Sequence, residues 1–269
     1  MRRSNFKEHV RLAADELPHY LNVDEGEELN FKMPGITVVV GHNLTSPDTF
    51  VRCIGDYCID NAEREDRLAF IDVSATHLND GAMDLLSELC SEIECDLASA
   101  YDNKEIVDLH RFYNKVAENL TSRRDGAIFH FFMMKLHLGT ISDDTCYVLH
   151  YPEHGLHPSM QVQFGKFLVK FQKLTGAKFI VLTHSHFLLD AIVQYTEREY
   201  MNAPKLPLAF YLLDVKCNAP NAQGFIQKSV KEVTLRDIDT MYGCWAMAVD
   251  KLNQLREENE KNIDEEKTE

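Results

Sequence analysis

The sequence contains no apolar run approaching the ~18 residues that would span a bilayer, so no membrane-spanning helix is expected. Its opening residues, MRRSNFKEHVRL, lack the apolar core of a signal peptide, and a cytoplasmic protein is expected. A basic excess is also missing: 28 Lys and Arg face 43 Asp and Glu, for a net charge of −15. Duplex-binding surfaces carry a basic stripe, so this balance argues against direct nucleic-acid binding. The seven cysteines, at 53, 58, 90, 95, 146, 217 and 244, are odd in number and scattered. Their two Cys-x4-Cys pairs lack zinc-ribbon spacing, which leaves reduced core thiols and no structural metal. The lone tryptophan, Trp245, falls on a late helical stretch and reads as packing. Neither an internal repeat nor a low-complexity linker interrupts the chain.

What is present suffices for a large core, with 269 residues of which 45% are hydrophobic and 26% charged. A single domain over residues 1–255 is expected, followed by an acidic tail, REENEKNIDEEKTE, at 256–269. Residues 27–40, EELNFKMPGITVVV, read as two strands broken by a Pro34-Gly35 turn. A helix is expected over 48–60 and a strand within 67–75. Apolar residues at three- and four-residue spacing make 80–120 helical, and the very apolar 125–138 a buried helix, so the helical part runs over approximately 80–138. TCYVLH (145–150) is a strand. Pro158 opens a helix striped with Phe164, Phe167 and Phe171 and closed by Gly176. KFIVLTHS (178–185) is a strand into a loop, followed by a helix, a strand over 208–216 and a last helix from about Leu235. Strands alternating with helices after residue 140 point to an α/β fold on a mostly parallel sheet with covered faces.

The stretch ITVVVGHNLTSPDTF (36–50) is strand, polar loop and helix, the setting of a phosphate loop. That loop requires Gly-x4-Gly-Lys-Ser/Thr, because backbone amides wrap the phosphates, lysine neutralises them and the hydroxyl holds magnesium. Counting from Gly41 past Asn43, Ser46 stands at the second glycine, Pro47 at the lysine and Asp48 at the hydroxyl. Pro47 brings neither charge nor N–H, and Asp48 brings a carboxylate against the phosphates. Ser46-Pro47-Asp48 is instead a good helix start: cap, first-turn proline and an anion at the positive end.

Downstream, VLHYPEHGLHPSMQVQFGKFLVKFQKLTGAKFIVLTHSHFLLDAI (148–192) resembles the second half of an ABC-class ATPase head. The type is that of overcoming-lysogenization-defect ATPases and, more distantly, RecF- and SMC-like heads. Pro152, Glu153, Gly155, Leu156, His157, Pro158, Thr183, His184, Ser185, Leu188, Leu189 and Asp190 keep the family pattern Asp-Glu-Pro-Glu, Gly-Leu-His-Pro, Thr-His-Ser-Pro, Leu-Leu-Asp. LNFKMPGITVVVGHN resembles the family's N-terminal β-hairpin and the strand entering its phosphate loop, and LTSRRDGAIFHFFMMKLHL (120–138) its signature segment. The resemblance implies an ABC-type P-loop fold with a helical insertion.

The same resemblance shows which positions fail. His150 stands at the magnesium-coordinating aspartate and Tyr151 at the catalytic glutamate, where a phenol of ordinary pKa near 10 is a poor base. Arg123 stands at the signature glycine in the simplest register, although Gly126 follows three residues later. The switch histidine, His184, is kept. These losses imply a pseudo-ATPase without cofactor, working by protein–protein contact, as a homodimer or in a complex with an active ATPase or nuclease, in DNA repair or phage–host conflict. Family heads meet face to face, which would set His42, Asn43, Thr45 and Asp48 opposite Ser122, Arg123 and Arg124. The alternative is a noncanonical nucleotide-binding or metal-dependent hydrolase that uses the histidine-rich site, with His150, His154, His184 and His186 as candidate ligands.

Overall fold

The computed structural model describes residues 9–13, 21–23, 28–41, 47–61, 69–74, 104–117, 127–137, 139, 141, 145–220 and 226–234. The chain divides into two compact units, 1–232 and 233–269. Residues 235–269, with the expected last helix, Trp245 and the acidic tail, lie outside the described residues, as does 75–103 of the helical part.

Nine strands are described: β1 (His9–Ala13), β2 (Leu21–Val23), β3 (Glu28–Lys32), β4 (Ile36–Gly41), β5 (Ala69–Ser74), β6 (Thr145–His150), β7 (Lys178–Leu182), β8 (Leu208–Pro220) and β9 (Ile226–Val233). Five helices join them: α1 (Pro47–Asn61), α2 (Lys104–Ala117), α3 (Ala127–His137), α4 (Pro158–Thr175) and α5 (His186–Glu199). The main sheet has seven strands in the order β2-β9-β8-β4-β7-β6-β5. β4 lies inside it, parallel to β7 (Val39 opposite Leu182) on one side and to β8 (Gly41 opposite Leu213) on the other. β6 continues the parallel run beyond β7, with His150 opposite Leu182, and β5 beyond that. The fold is therefore α/β on a mostly parallel central sheet, as the alternation of strands and helices predicts.

A parallel sheet buried on both faces favours near-continuous apolar runs, and β4, β6 and β7 supply them apart from residues such as Thr37, which is buried in β4 and donates to the Lys32 carbonyl. Cys146, Val148, Ile180, Leu182, Val39 and Tyr211 point to one face, where Phe50, Val51 and Ile54 of α1 close the core. Tyr147 and Phe179 point to the other, where Phe132 of α3 and Phe171 of α4 meet them edge to ring, with centroids 5.3–6.2 Å apart. The phenylalanine stripe of α4 is core, as expected: Phe164, Phe167 and Phe171 are fully buried. α4 starts with His157 as cap, its Nδ1 accepting from the Ser159 N–H, and Pro158 at the first position. It ends at Gly176, whose φ of 71° is left-handed.

One pairing differs from the simplest reading of the Pro34-Gly35 turn. β3 and β4 do not pair with each other; β3 pairs antiparallel with β1 in a separate two-stranded sheet, Leu12 opposite Leu29. The turn is a step between sheets. Gly35 is needed there because a Cβ would lie 2.8 Å from Gln172 Nε2 and 2.9 Å from Pro207 Cβ. Tyr211 of β8 ties the small sheet down: its hydroxyl accepts from the Lys32 N–H (2.8 Å) and donates to the Asn30 carbonyl (2.9 Å). Desolvation in this position pushes its pKa upward.

At the far end of α5, Glu199 is held by Lys173 (2.9 Å) and Lys170 (3.4 Å) of α4. Burial alone would raise this carboxyl, but its hydrogen bonds and charge contacts with Lys173 and Lys170 outweigh burial and hold it below its ordinary value of 4.5. A depressed carboxyl contributes stability above its unfolded pKa and loses it as pH falls through the folded one. Glu199→Gln is therefore expected to melt below the wild type at pH 7. The gap should close as pH is lowered past the ordinary glutamate range, read as the difference in Tm across a pH series. A constant gap would remove the ion pair as its source.

Candidate functional site

The carboxyl ends of β4, β6 and β7 lie side by side, the edge at which open α/β sheets carry their ligands. Three segments leave from it. From β4, Gly41 leads through 42–46 to α1, whose first residues are Pro47 and Asp48. From β6, His150 leads into the turn 151–157, and from β7, Leu182 leads into Thr183-His184-Ser185 before α5. His42, Asn43, Thr45 and Ser46 lie outside the described residues, and so do Ser122, Arg123 and Arg124.

Asp48 joins the first segment to the second. Its Oδ1 is 2.7 Å from His150 Nδ1, and its Oδ2 accepts from the Tyr151 hydroxyl at 3.2 Å. The histidine side chain is 13% exposed and the aspartate 41%, so the contact is half-sheltered from water. It is a hydrogen bond with neutral imidazole and an ion pair when the ring is protonated. Asp48 at the start of α1 and His150 at the end of β6 thus touch directly. Pro47 and Asp48 open α1, while the expected cap, Ser46, lies outside the described residues; the anion at the positive end of α1 also has side-chain partners.

Among the described residues, Tyr151 is the non-glycine residue with a positive φ. Its φ is +47°, a left-handed conformation that glycine adopts more readily. Three contacts hold it there. Its N–H donates to the Leu182 carbonyl at 2.9 Å, and its ring stacks against His184 (4.9 Å, 21°) and His154 (5.3 Å, 19°). Burial first, then the charge and hydrogen bond of Asp48, and last the charge of Glu153 raise the phenol far above 10. It stays protonated and donates; it does not accept a proton near neutral pH.

The third segment is stitched to the second. Glu153 is buried, and its Oε1 accepts from the His184 N–H at 2.9 Å, while Oε2 has no partner. Ser185 caps α5 by accepting from the Leu188 N–H (3.1 Å) and donates to Gln161 Oε1 (2.5 Å). Gln161 in turn donates to the Leu156 carbonyl at 2.8 Å. Thr183 Oγ1 accepts from the Ser185 N–H at 2.9 Å. Gly155, with φ of 81°, makes the turn that carries this network. Sequence reasoning singled out the Gly-Leu-His-Pro and Thr-His-Ser segments but not Gln161, a polar residue in the first turns of α4 with no distinguishing spacing.

Of the candidate metal ligands, His150 is directed to Asp48, His154 and His184 lie flat on Tyr151, and the His186 ring is 5.8 Å from that of Phe187. Among the described residues no group of three or more His, Cys, Asp or Glu is arranged to hold a metal ion. No helix among the described residues is long and apolar enough to cross a membrane.

No family model matches the chain, and no curated protein matches it in sequence. Solved structures align with it at low identity. The SMC head domain from Thermotoga maritima is 12% identical, over 79% of this chain and 96% of that one, with a TM-score of 0.42. The cbiO1 protein from Clostridium perfringens, part of the ABC transporter complex cbiONQ, is 14% identical over 94% and 97%, with a TM-score of 0.45. An SmcHead bound to the C-winged helix domain of ScpA is 9% identical over 87% and 99%, with a TM-score of 0.46.

Proposed function

We propose that this chain is a catalytically silent ATPase-like head that acts through protein contact. The observation that carries the reading is Asp48, whose carboxylate stands at the start of the phosphate-loop helix and bonds His150 and Tyr151. A magnesium nucleotide needs a lysine, a hydroxyl and two acids at these positions, and none of those side chains is there. The residues present do not fit that group. A triphosphate entering along α1 meets a carboxylate where the helix would otherwise offer its positive end. Tyr151, protonated and donating, supplies no base for an attacking water.

With catalysis set aside, the retained scaffold is a large folded surface. We assign its use to contact with a second copy or with an active ATPase or nuclease inside the cell. The family resemblance of 148–192 supports a setting in DNA repair or phage–host conflict. Both oxygens of Asp48 have partners within the chain, so a bridge from it to Arg123 or Arg124 of a second copy would have to exchange those contacts.

ATP and GTP with magnesium should be hydrolysed no faster than in buffer, and millimolar ATP should leave the melting temperature unmoved. Binding to the folded state at 100 times Kd contributes about 2.7 kcal/mol, about 5–10 °C for a domain of this size, so the null result is easily read. Magnesium-dependent turnover abolished by His184→Ala, or a clear shift with ATP, would overturn the reading.

A further inference from the structure

In a chain with a net charge of −15, α4 carries Lys166, Lys170 and Lys173 and not one acid. Lys166 lies over the Phe112 ring of α2 (4.7 Å) and the Tyr195 ring of α5 (5.5 Å), a partly buried position. Glu199, the acid that bridges α5 to α4, is already taken by Lys170 and Lys173. Burial first, then repulsion from Lys170 and Arg198, lowers the Lys166 pKa; Glu199 opposes that fall, and Lys115 adds slightly to it. Lys170 and Arg198 repel Lys166 more than Glu199 attracts it, and an arriving anion relieves that repulsion.

We propose that this face of α2, α4 and α5 docks an acidic peptide segment of a protein partner, whose carboxylates seat beside Lys166, Lys170 and Arg198 as Glu199 seats between Lys170 and Lys173. The inference rests on the contact role proposed above and names the chemistry of the partner. A carboxylate is the anion this cluster already holds, at 2.9 and 3.4 Å. A duplex or long single strand extends well beyond the Debye length of about 8–10 Å and meets the acidic remainder of the surface, whereas a short segment feels mainly the local field. Lysine also covers the two aromatic rings that a nucleic-acid base would need for stacking.

The test is fluorescence anisotropy of the full-length chain with a labelled deca-glutamate peptide and, separately, a labelled oligo-dT of about 20 nucleotides, at about 50 mM salt. The peptide should bind and weaken as salt is raised. Lys166→Gln with Arg198→Gln should weaken it by about tenfold or more, while Lys166→Arg with Arg198→Lys retains it. Should the first pair fail to fold, Lys170→Gln with Arg198→Gln removes one half-buried and one exposed charge and tests the same face. No peptide binding, equal binding by the glutamine variants, or oligo-dT binding as tightly as the peptide would each overturn the proposal. None of these outcomes bears on the nucleotide tests, so the two readings fail separately.

Discussion

Phe132→Ala is expected to lower the melting temperature by on the order of 10 °C, the largest effect of any single change considered. Phe132 is fully buried, and its ring meets Tyr147, Phe171 and Phe179 at 5.3–5.5 Å. Truncating such a residue costs about 3–5 kcal/mol: lost transfer energy plus a cavity that rigid neighbours do not refill. Those neighbours lie on β6, β7 and α4, so the cavity would open between the sheet and its helical layer. Phe132→Leu, which keeps most of the volume, should cost less than about 1.5 kcal/mol. Tyr147→Phe sets the sign control. The Tyr147 hydroxyl is buried without a partner, so removing it should be neutral or stabilising. Thermal and denaturant unfolding of the three variants check the order. A Phe132→Ala protein within 1 °C of wild type would mean that this aromatic layer does not hold the fold.

Much of this arrangement is readable in the sequence, for identifiable reasons. β4, β6 and β7 announce themselves because strands buried on both faces are continuously apolar. α4 announces both its ends, through Pro158 and Gly176. β1, β2 and β9 escape notice: they are short or half-polar, as in IQKSVKEV, and only their partners in the sheet make them strands. β8 runs on to Pro220, past the apolar stretch ending at 216, because strand length follows pairing as well as composition. The candidate site was legible as three segments, since each sits where a strand ends. What joins them was not. Asp48 and His150 are 102 residues apart, and no spacing rule links them; the sequence suggested an outward role for Asp48 toward Arg123 and Arg124. The stacking of Tyr151 on His154 and His184 likewise depends on a left-handed backbone residue that nothing in the text His-Tyr-Pro-Glu-His specifies.

The Asp48–His150 contact makes a prediction that an ordinary surface ion pair would not. Exposed pairs contribute ~0–1 kcal/mol, but here one partner is 13% exposed and the same carboxylate also takes the Tyr151 hydroxyl. Removing it takes the acceptor from the Tyr151 hydroxyl and the carboxylate from His150 Nδ1, so Asp48→Ala should cost about 1–3 kcal/mol. Loss of an anion from the first turn of α1 adds about 0.3–1 kcal/mol. Asp48→His alone should be worse than Asp48→Ala, because it brings a second imidazole against His150 and against the positive end of the helix. His150→Asp alone should also be costly, since it sets two carboxylates within a hydrogen bond's length of each other. Combined, Asp48→His with His150→Asp re-creates a carboxylate–imidazole pair with its polarity reversed. The double variant should melt above both singles while remaining below wild type, because the helix start has exchanged its favoured anion for an imidazole. The coupling energy from the four melting or denaturation curves isolates the pair from the helix-end effect, which both Asp48 variants share. Strictly additive costs would show that the two side chains do not act on one another and that α1 is not tied to β6 through them.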